Sequence, residues 1–303
     1  TANSFLTGLI AYQEAKTKKK REKLFNKGKK LSLSIELNNL LANSFIFFKK
    51  DNYLGIMLSR NRSIKLQAQP FILFGQVHIV TLLIILFLCL GIPKYLNRSS
   101  GETTKRFGYI LAALLLIDLM CKPYYLSIFG YPYPRNLPIH MCSLSTMCIS
   151  LFLLTEKKFL YEIAYFWGIG GGIMALLQPD TPRGFPDLQF IAFFFGHGGL
   201  FLGIAIATFV MNQRPTHHSL LKVLGLSLIV LPIMYLINTI LGPPANYWYL
   251  GARPEGASIL DFFPDPPLHI PLVMALGIVM FFLLYIPYWI KDGGFTKGAE
   301  SAE

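Results

Sequence analysis

Seven apolar runs divide the chain between residues 71 and 290. They cover residues 71–92, 107–126, 138–154, 159–177, 188–211, 220–241 and 268–290. A helix needs roughly 20 apolar residues to cross the hydrocarbon of a bilayer, and most of these runs approach or exceed that length. The third run is near the lower limit, short enough to be tilted or to enter only part way. The pattern predicts an all-α polytopic membrane protein, a bundle of about seven transmembrane helices.

The connections between the runs are of two kinds. Those after runs one, three and five are polar and mostly basic, whereas those after runs two, four and six are rich in Pro, Gly and aromatic residues. The first kind, with the C-terminal tail, carries nine Lys and Arg residues against four in the second. Since cytoplasmic loops are enriched in Lys and Arg, this bias predicts a multi-pass cell-membrane protein with a cytoplasmic C-terminus. The count takes Lys122 as a loop residue, because Asp118, Lys122 and Pro123 break the second run.

The positive charge of the chain is concentrated near the N-terminus. Residues 1–70 carry 14 of the 28 Lys and Arg residues and four acidic residues, so they hold +10 of the net charge of +12. A charge block of this kind predicts a flexible, solvated tail that anionic lipid headgroups would also attract. The tail alone would favour the opposite orientation, but the rule is weaker for long segments. We expect a basic tail of residues 1–70, a transmembrane domain of residues 71–290 and a short C-terminal tail of residues 291–303.

Cys142 lies near the start of the third run. Pro138 suits the first position of a helix, which would put Cys142 just past the first turn. The positive end of the helix dipole would there favour a thiolate, which is a competent nucleophile when a base assists it. His140 is about 200° away around an ideal helix, so the base should come from another span. The alternative is that Cys142 is a small buried apolar residue.

His197 lies between glycines in the fifth run. Counted from the same membrane face, it is roughly 13 Å deep and Cys142 about 6 Å deep. The two side chains can therefore meet if the third and fifth spans are neighbours, and the flanking glycines permit a close approach of helices. The alternative is a histidine that is hydrogen-bonded to a neighbouring helix for structural reasons.

Three further positions are candidates for binding or support, because ionisable residues inside a membrane are costly. Asp118 is expected to face the bundle, with a partner that the sequence does not identify. Glu162 lies near the cytoplasmic end of the fourth run and can reach water there. Arg253 can bind a phosphate or carboxylate, or can form a structural ion pair with Glu255 or Asp261.

No metal or cofactor is expected. The adjacent His217 and His218 have no convincing ligand partners, and no Gly-rich phosphate loop with a following Lys and Ser or Thr is present. The cysteines lie in or beside apolar runs rather than in polar loops, so we expect free thiols at Cys89, Cys121, Cys142 and Cys148.

Four blocks of sequence resemble the YwaF-like family of bacterial integral membrane proteins, in the expected order. They are residues 137–144, 161–180, 184–199 and 253–261. The resemblance covers residues 71–290, while the first 70 residues depart from the family, whose first span lies near the start of the chain. The family is related to transmembrane protein 164, an acyltransferase that moves fatty acyl chains between phospholipids. The resemblance implies Cys142 as the nucleophile and His197 as its base.

The leading hypothesis is lipid acyl transfer or hydrolysis in the outer half of the membrane. His140 would support the base and Arg253 would hold a lipid phosphate. Membrane lipids are the expected partners, and nucleic acid is not expected. A small-molecule or ion transporter is the second hypothesis, with Asp118, Glu162 and His197 lining a pathway. A non-catalytic membrane protein is the third.

Overall fold

A computed structural model of the protein describes residues 69–128, 137–181, 183–253 and 259–292. All but the last two residues of the predicted basic tail lie outside the described residues, as does most of the predicted C-terminal tail. Seven helices match the seven apolar runs. In chain order they are α1 (Gln76–Leu96), α2 (Gly101–Ile128), α3 (Met141–Thr155), α4 (Lys158–Leu177), α5 (Leu188–Phe209), α6 (His217–Leu241) and α7 (Ile270–Lys291).

Six of these described helices are long and apolar enough to cross a membrane, and the shorter one is α3. The 15 residues of α3 rise about 22 Å, against roughly 30 Å for the hydrocarbon core of a bilayer. The predicted polytopic helical fold is therefore confirmed. The third run, which the sequence marks as short, is also the shortest of the seven helices.

The centre of the bundle is formed by α3, α4 and α5. Helix α5 packs against α1, α2, α3 and α4, while α6 and α7 pack against each other and against α4. The outer faces of α1, α6 and α7 carry exposed apolar side chains such as Phe87, Ile240 and Phe282. Lipid chains are as apolar as these side chains, so such faces suit contact with the bilayer.

Glycines bring the central helices close together. A Cβ on Gly199 of α5 would lie 2.5 Å from Leu115 Cδ2 of α2, and a Cβ on Gly172 of α4 would lie 2.7 Å from Phe201 Cε2 of α5. Neither position has room for a side chain, which is how small residues let transmembrane helices approach.

Helix α3 begins later than the sequence predicts. Its first residue is Met141 and its N-cap is His140, which has an extended backbone with φ −60° and ψ 151°. Pro138 lies in the turn before the helix, so its predicted place as the first helical residue is wrong. His140 is outside the helix, and the 200° separation from Cys142, which assumed an ideal helix, does not apply.

An aromatic segment, Tyr247–Tyr249, explains this late start. The N–H of Leu137 donates to the Tyr247 hydroxyl at 3.0 Å, and the indole N–H of Trp248 donates to the Ile139 carbonyl at 3.2 Å. These bonds hold the residues before Met141 in a turn. The contacts come from more than a hundred residues away along the chain, and local sequence patterns do not reveal them.

Helix α2 continues past the residues that break its apolar run. Asp118, Lys122 and Pro123 all lie within it. Proline is tolerated in transmembrane helices when neighbouring groups satisfy the backbone carbonyl that it frees. The assignment of Lys122 to a loop is therefore wrong, and its charge does not count in the bias between the loops.

Candidate active site

Cys142 is the second residue of α3. The N–H of Leu144 makes the first bond of the helix, to the His140 carbonyl at 2.9 Å. The N–H groups before Leu144 have no acceptor four residues back within the helix, and they form the positive end of its dipole. Cys142 is thus closer to this end than the sequence predicts, in a position suited to negative charge.

The thiol of Cys142 faces a space on α4 where no side chain is present. A Cβ on Gly171 would lie 3.6 Å from Cys142 Sγ. The hydroxyls near Cys142 bond back to their own helix: Ser145 donates to the Met141 carbonyl at 2.8 Å, and Thr146 donates to the Cys142 carbonyl at 2.9 Å. Because these hydroxyls are engaged with the backbone, a base for the thiol has to come from another helix.

His197 of α5 has a defined tautomer. Its Nδ1 lies 2.8 Å from the Phe193 carbonyl, and its ring packs on the Phe193 ring at a centroid distance of 4.2 Å. A carbonyl oxygen only accepts hydrogen bonds, so Nδ1 carries the proton and donates it. In the neutral imidazole Nε2 then has the lone pair, which is the state that a general base needs.

Asp118 and Lys122 of α2 reach the same part of α5. A Cβ on Gly196, the residue before His197, would lie 3.3 Å from Asp118 Oδ2 and 3.8 Å from Lys122 Nζ. Lys122 is close enough to Asp118, Cys142 and His197 for electrostatic interaction with each of them. Three helices, α2, α3 and α5, therefore contribute to one cluster of polar side chains.

His140 borders this cluster from the turn before α3. Its ring packs against Tyr247 at a centroid distance of 4.7 Å, and it is close enough to His197 for electrostatic interaction. His140 also lines a cavity of about 410 Å³ together with Asp180 and Arg253. The cavity therefore adjoins the start of α3, the end of the helix that carries Cys142.

Arg253 lies in the loop that lines this cavity and connects two parts of it. Its guanidinium pairs with Asp265 at 3.1 Å and also donates to the Phe263 carbonyl. Asp265 is thus a partner that the sequence did not suggest; of the predicted partners Glu255 and Asp261, Glu255 lies outside the described residues. The Nε atom of Arg253 is buried and has no hydrogen-bond partner among the residues that the structure describes.

Comparison with known proteins identifies the family. The model of the TMEM164 family matches residues 73–285, well over half of the chain. The chain belongs to the TMEM164 family. An uncharacterized protein of Treponema pallidum (strain Nichols) is 26% identical over 228 residues, which is 72% of this chain and 90% of the relative. No solved structure matches the chain. The predicted relation to transmembrane protein 164 is confirmed, while the YwaF-like assignment stays a prediction.

Glu162 does not belong to this cluster in the TMEM164-family chain. It lies near the start of α4, which follows the far end of α3, and it is only 4% exposed. The hydroxyl of Ser219 donates to its carboxylate at 2.6 Å, and Ser219 itself forms a capping box with Thr216 at the start of α6. The expectation that Glu162 reaches water is wrong, because this carboxylate joins α4 to the buried first turn of α6.

The structure thus gathers Cys142, His197, Asp118 and His140 at one end of the bundle. Lys122 is a further residue of this cluster, which the pattern of apolar runs did not reveal. Its spacing of four residues from Asp118 was the available signal, because that spacing places an acid and a base on one helix face. All four cysteines are free thiols, as predicted. No group of three or more potential metal ligands occurs within the described ranges.

Proposed function

We propose that this protein is a membrane-embedded lipid acyltransferase or lipid esterase, with Cys142 as nucleophile and His197 as base. The observation that carries the proposal is the bond from His197 Nδ1 to the Phe193 carbonyl. It presents Nε2 as a proton acceptor in the cluster that also contains Cys142. Membrane lipids are the substrates, the cysteine end of the bundle faces outward, and the C-terminus is cytoplasmic.

The first half of the reaction forms an acyl-enzyme. His197 Nε2 takes the proton of the Cys142 thiol, and the sulfur attacks the carbonyl carbon of a lipid ester. The carbonyl oxygen becomes an oxyanion as the S–C bond forms. The intermediate then collapses, the C–O bond to the lipid breaks, and the departing alkoxide takes the proton from His197 to leave as an alcohol.

The second half returns the enzyme to its starting state. The hydroxyl of a second lipid attacks the thioester carbonyl while His197 accepts its proton. The S–C bond breaks, and the proton passes from His197 to the Cys142 sulfur. In the esterase variant of the reaction, water replaces the lipid hydroxyl and the product is a free fatty acid.

Two features of the chain support this chemistry. The N–H groups at the start of α3, beside Cys142, are donors for the oxyanion. The cavity next to His140 has room for the polar part of a lipid, where the guanidinium of Arg253 is a donor for a phosphate. The transport hypothesis has Glu162 lining a pathway, and the carboxylate of Glu162 is instead bonded to Ser219.

The experiment is to trap the acyl-enzyme. Purified protein in phospholipid vesicles is given a phospholipid with a radiolabelled acyl chain, and label on the protein is measured before and after treatment with neutral hydroxylamine, which cleaves thioesters. We expect hydroxylamine-sensitive label on the wild type, and neither label nor transfer in Cys142→Ala.

Two other cysteines provide matched controls. Cys148 lies on the same helix as Cys142, and Cys121 is exposed on α2. Cys148→Ala and Cys121→Ala should retain both the label and the transfer of acyl chains. Transfer at the wild-type rate by Cys142→Ala would rule out the proposed mechanism.

A further inference from the structure

Lys122 is a cation inside a membrane-spanning helix, and the mechanism above does not use it. A charge at such a position is expensive unless an opposite charge or a polar cavity compensates it. Asp118 lies four residues earlier on α2, on the same helix face. Because the two side chains meet at Gly196, they are directed toward α5 and not toward lipid.

Gly196 creates the space that these side chains occupy. A Cβ there would come within 3.3 Å of Asp118 Oδ2, tighter than most contacts of this kind, and within 3.8 Å of Lys122 Nζ. The next residue, His197, is the proposed base. An ammonium that approaches α5 at Gly196 is therefore one residue away from the group that takes the thiol proton.

The surroundings of Lys122 contain an acidic side chain and the proposed base. Asp118 lies on the same face of α2, and His197 directly follows Gly196 on α5. Since the proposed function brings the Cys142 thiol to His197, the thiol also lies close to this ammonium. Among these groups Lys122 is the cation placed to offset negative charge on the sulfur.

We propose that Lys122 is a further catalytic residue, whose ammonium, held by Asp118, stabilises the negative charge that forms on the Cys142 sulfur and then on the ester carbonyl oxygen. The inference rests on the proposed function and adds to it. Asp118 is a positioning residue, since it acts through Lys122. Groups aimed at developing charge in a site shielded from water are worth about 10²–10³-fold in rate, and we expect a loss of that size in Lys122→Gln.

The test compares two alkylating reagents on a chain in which Cys142 is the only thiol, with alanine at the other three cysteines. Iodoacetamide is neutral and iodoacetate is an anion, but both react with the same sulfur. An ammonium beside the sulfur favours the anion. We expect the ratio of iodoacetate to iodoacetamide rates to fall about tenfold in Lys122→Gln, as for one charge a few ångströms away.

Three variants serve as controls for the ratio of iodoacetate to iodoacetamide rates. Lys122→Arg keeps the charge and should keep most of the ratio, whereas Asp118→Asn should change it by less than Lys122→Gln. Lys94→Gln removes an exposed lysine in the last turn of α1 and should leave the ratio unchanged. If Lys122→Gln does not fold, Lys122→Met retains the apolar stem of the side chain and serves for the same measurement.

The two proposals fail in different ways. A wild-type ratio in Lys122→Gln overturns the role of Lys122, even if acyl transfer falls, because the residue is then only structural. Full transfer activity in Cys142→Ala overturns the proposed function, whatever the ratio. A lower ratio together with slower transfer in Lys122→Gln, and rescue of both by Lys122→Arg, supports the catalytic role.

Discussion

Ionisable residues at the two ends of the bundle differ in burial and in hydrogen bonding. At one end Glu162 is closed off from solvent and bonded to Ser219, which also caps α6. At the other end Cys142 and His197 are only partly buried, and the described hydrogen bonds of His197 use one ring nitrogen. Both ends look alike in sequence, as polar residues within apolar runs. A buried polar residue whose hydrogen-bonding atoms all have partners supports the fold. A residue that keeps an available acceptor atom beside a cavity can take part in a reaction.

The same contrast separates two histidines. His78 of α1 is 1% exposed, accepts from the N–H of Phe74 at 3.0 Å and donates to the Leu176 carbonyl at 2.9 Å, so both ring nitrogens are engaged. His197 bonds through Nδ1 and leaves Nε2 as an acceptor. We expect His78 to support the fold and His197 to serve the proposed reaction.

The largest effect is expected for His197→Ala. General bases contribute about 10²–10⁴-fold in rate, so acyl transfer should fall by this factor while the variant keeps its thermal stability in detergent. His78→Ala should do the opposite and lose stability without lowering the transfer rate per folded molecule. Equal losses of transfer per folded molecule in both variants would remove the distinction between the two histidines.

Glu162→Ala should weaken the fold and spare the reaction. The change removes the acceptor of a buried hydrogen bond, so we expect the free energy of unfolding to fall by about 2 kcal/mol. Glu162→Gln still offers a carbonyl oxygen to Ser219 and should cost less. Thermal unfolding in detergent and the transfer rate per folded molecule provide the two readouts. Slower transfer at unchanged stability would mean that this end of the bundle takes part in the reaction.

Gly203→Ala addresses the packing that joins the two ends. A Cβ there would lie 2.8 Å from Ile149 Cγ1 of α3, so α3 or α5 has to shift. We expect a loss of about 1–2 kcal/mol in the free energy of unfolding, typical of an overpacked core. Gly225→Ala is the control, because nothing lies within 4 Å of its added Cβ. Similar unfolding temperatures for the two variants would contradict the close contact.

Gly171→Ala should have the smallest effect, and a local one. The added methyl would sit 3.6 Å from Cys142 Sγ, an ordinary contact that narrows access to the thiol. We expect iodoacetamide to alkylate Cys142 a few-fold more slowly, with little change in stability. The neighbouring Gly170→Ala places its methyl 3.6 Å from the Phe281 ring instead and should not slow alkylation. Equal rates in both variants would show that the thiol does not face α4.

The sequence predicted the helices well because their signal is local. Each apolar run became one helix, and the bounds differ by only a few residues except where other parts of the chain intervene. The start of α3 was misplaced because Tyr247, 110 residues away, accepts a bond from Leu137. Lys122 was counted with a loop because Pro123 reads as a helix stop, although a transmembrane helix can contain proline.

Cys142 and His197 stood out in the sequence because each is a polar residue in an apolar run, and their roles as nucleophile and base stay predictions. Lys122 was missed because it was counted as a loop residue. The roles of Glu162 and His197 depended on hydrogen bonds, to Ser219 and to Phe193, that only coordinates supply.

The shortness of α3 has a consequence for how a lipid would meet the protein. The helix is about 8 Å shorter than the hydrocarbon is thick, and the polar residues after Thr155 fix its far end at one boundary. The start of α3 therefore lies in a recess, about 8 Å below the opposite boundary of the hydrocarbon. The glycerol esters of a phospholipid lie at the boundary of the hydrocarbon, so a lipid substrate would have to bring its ester about 8 Å into this recess to reach the thiol.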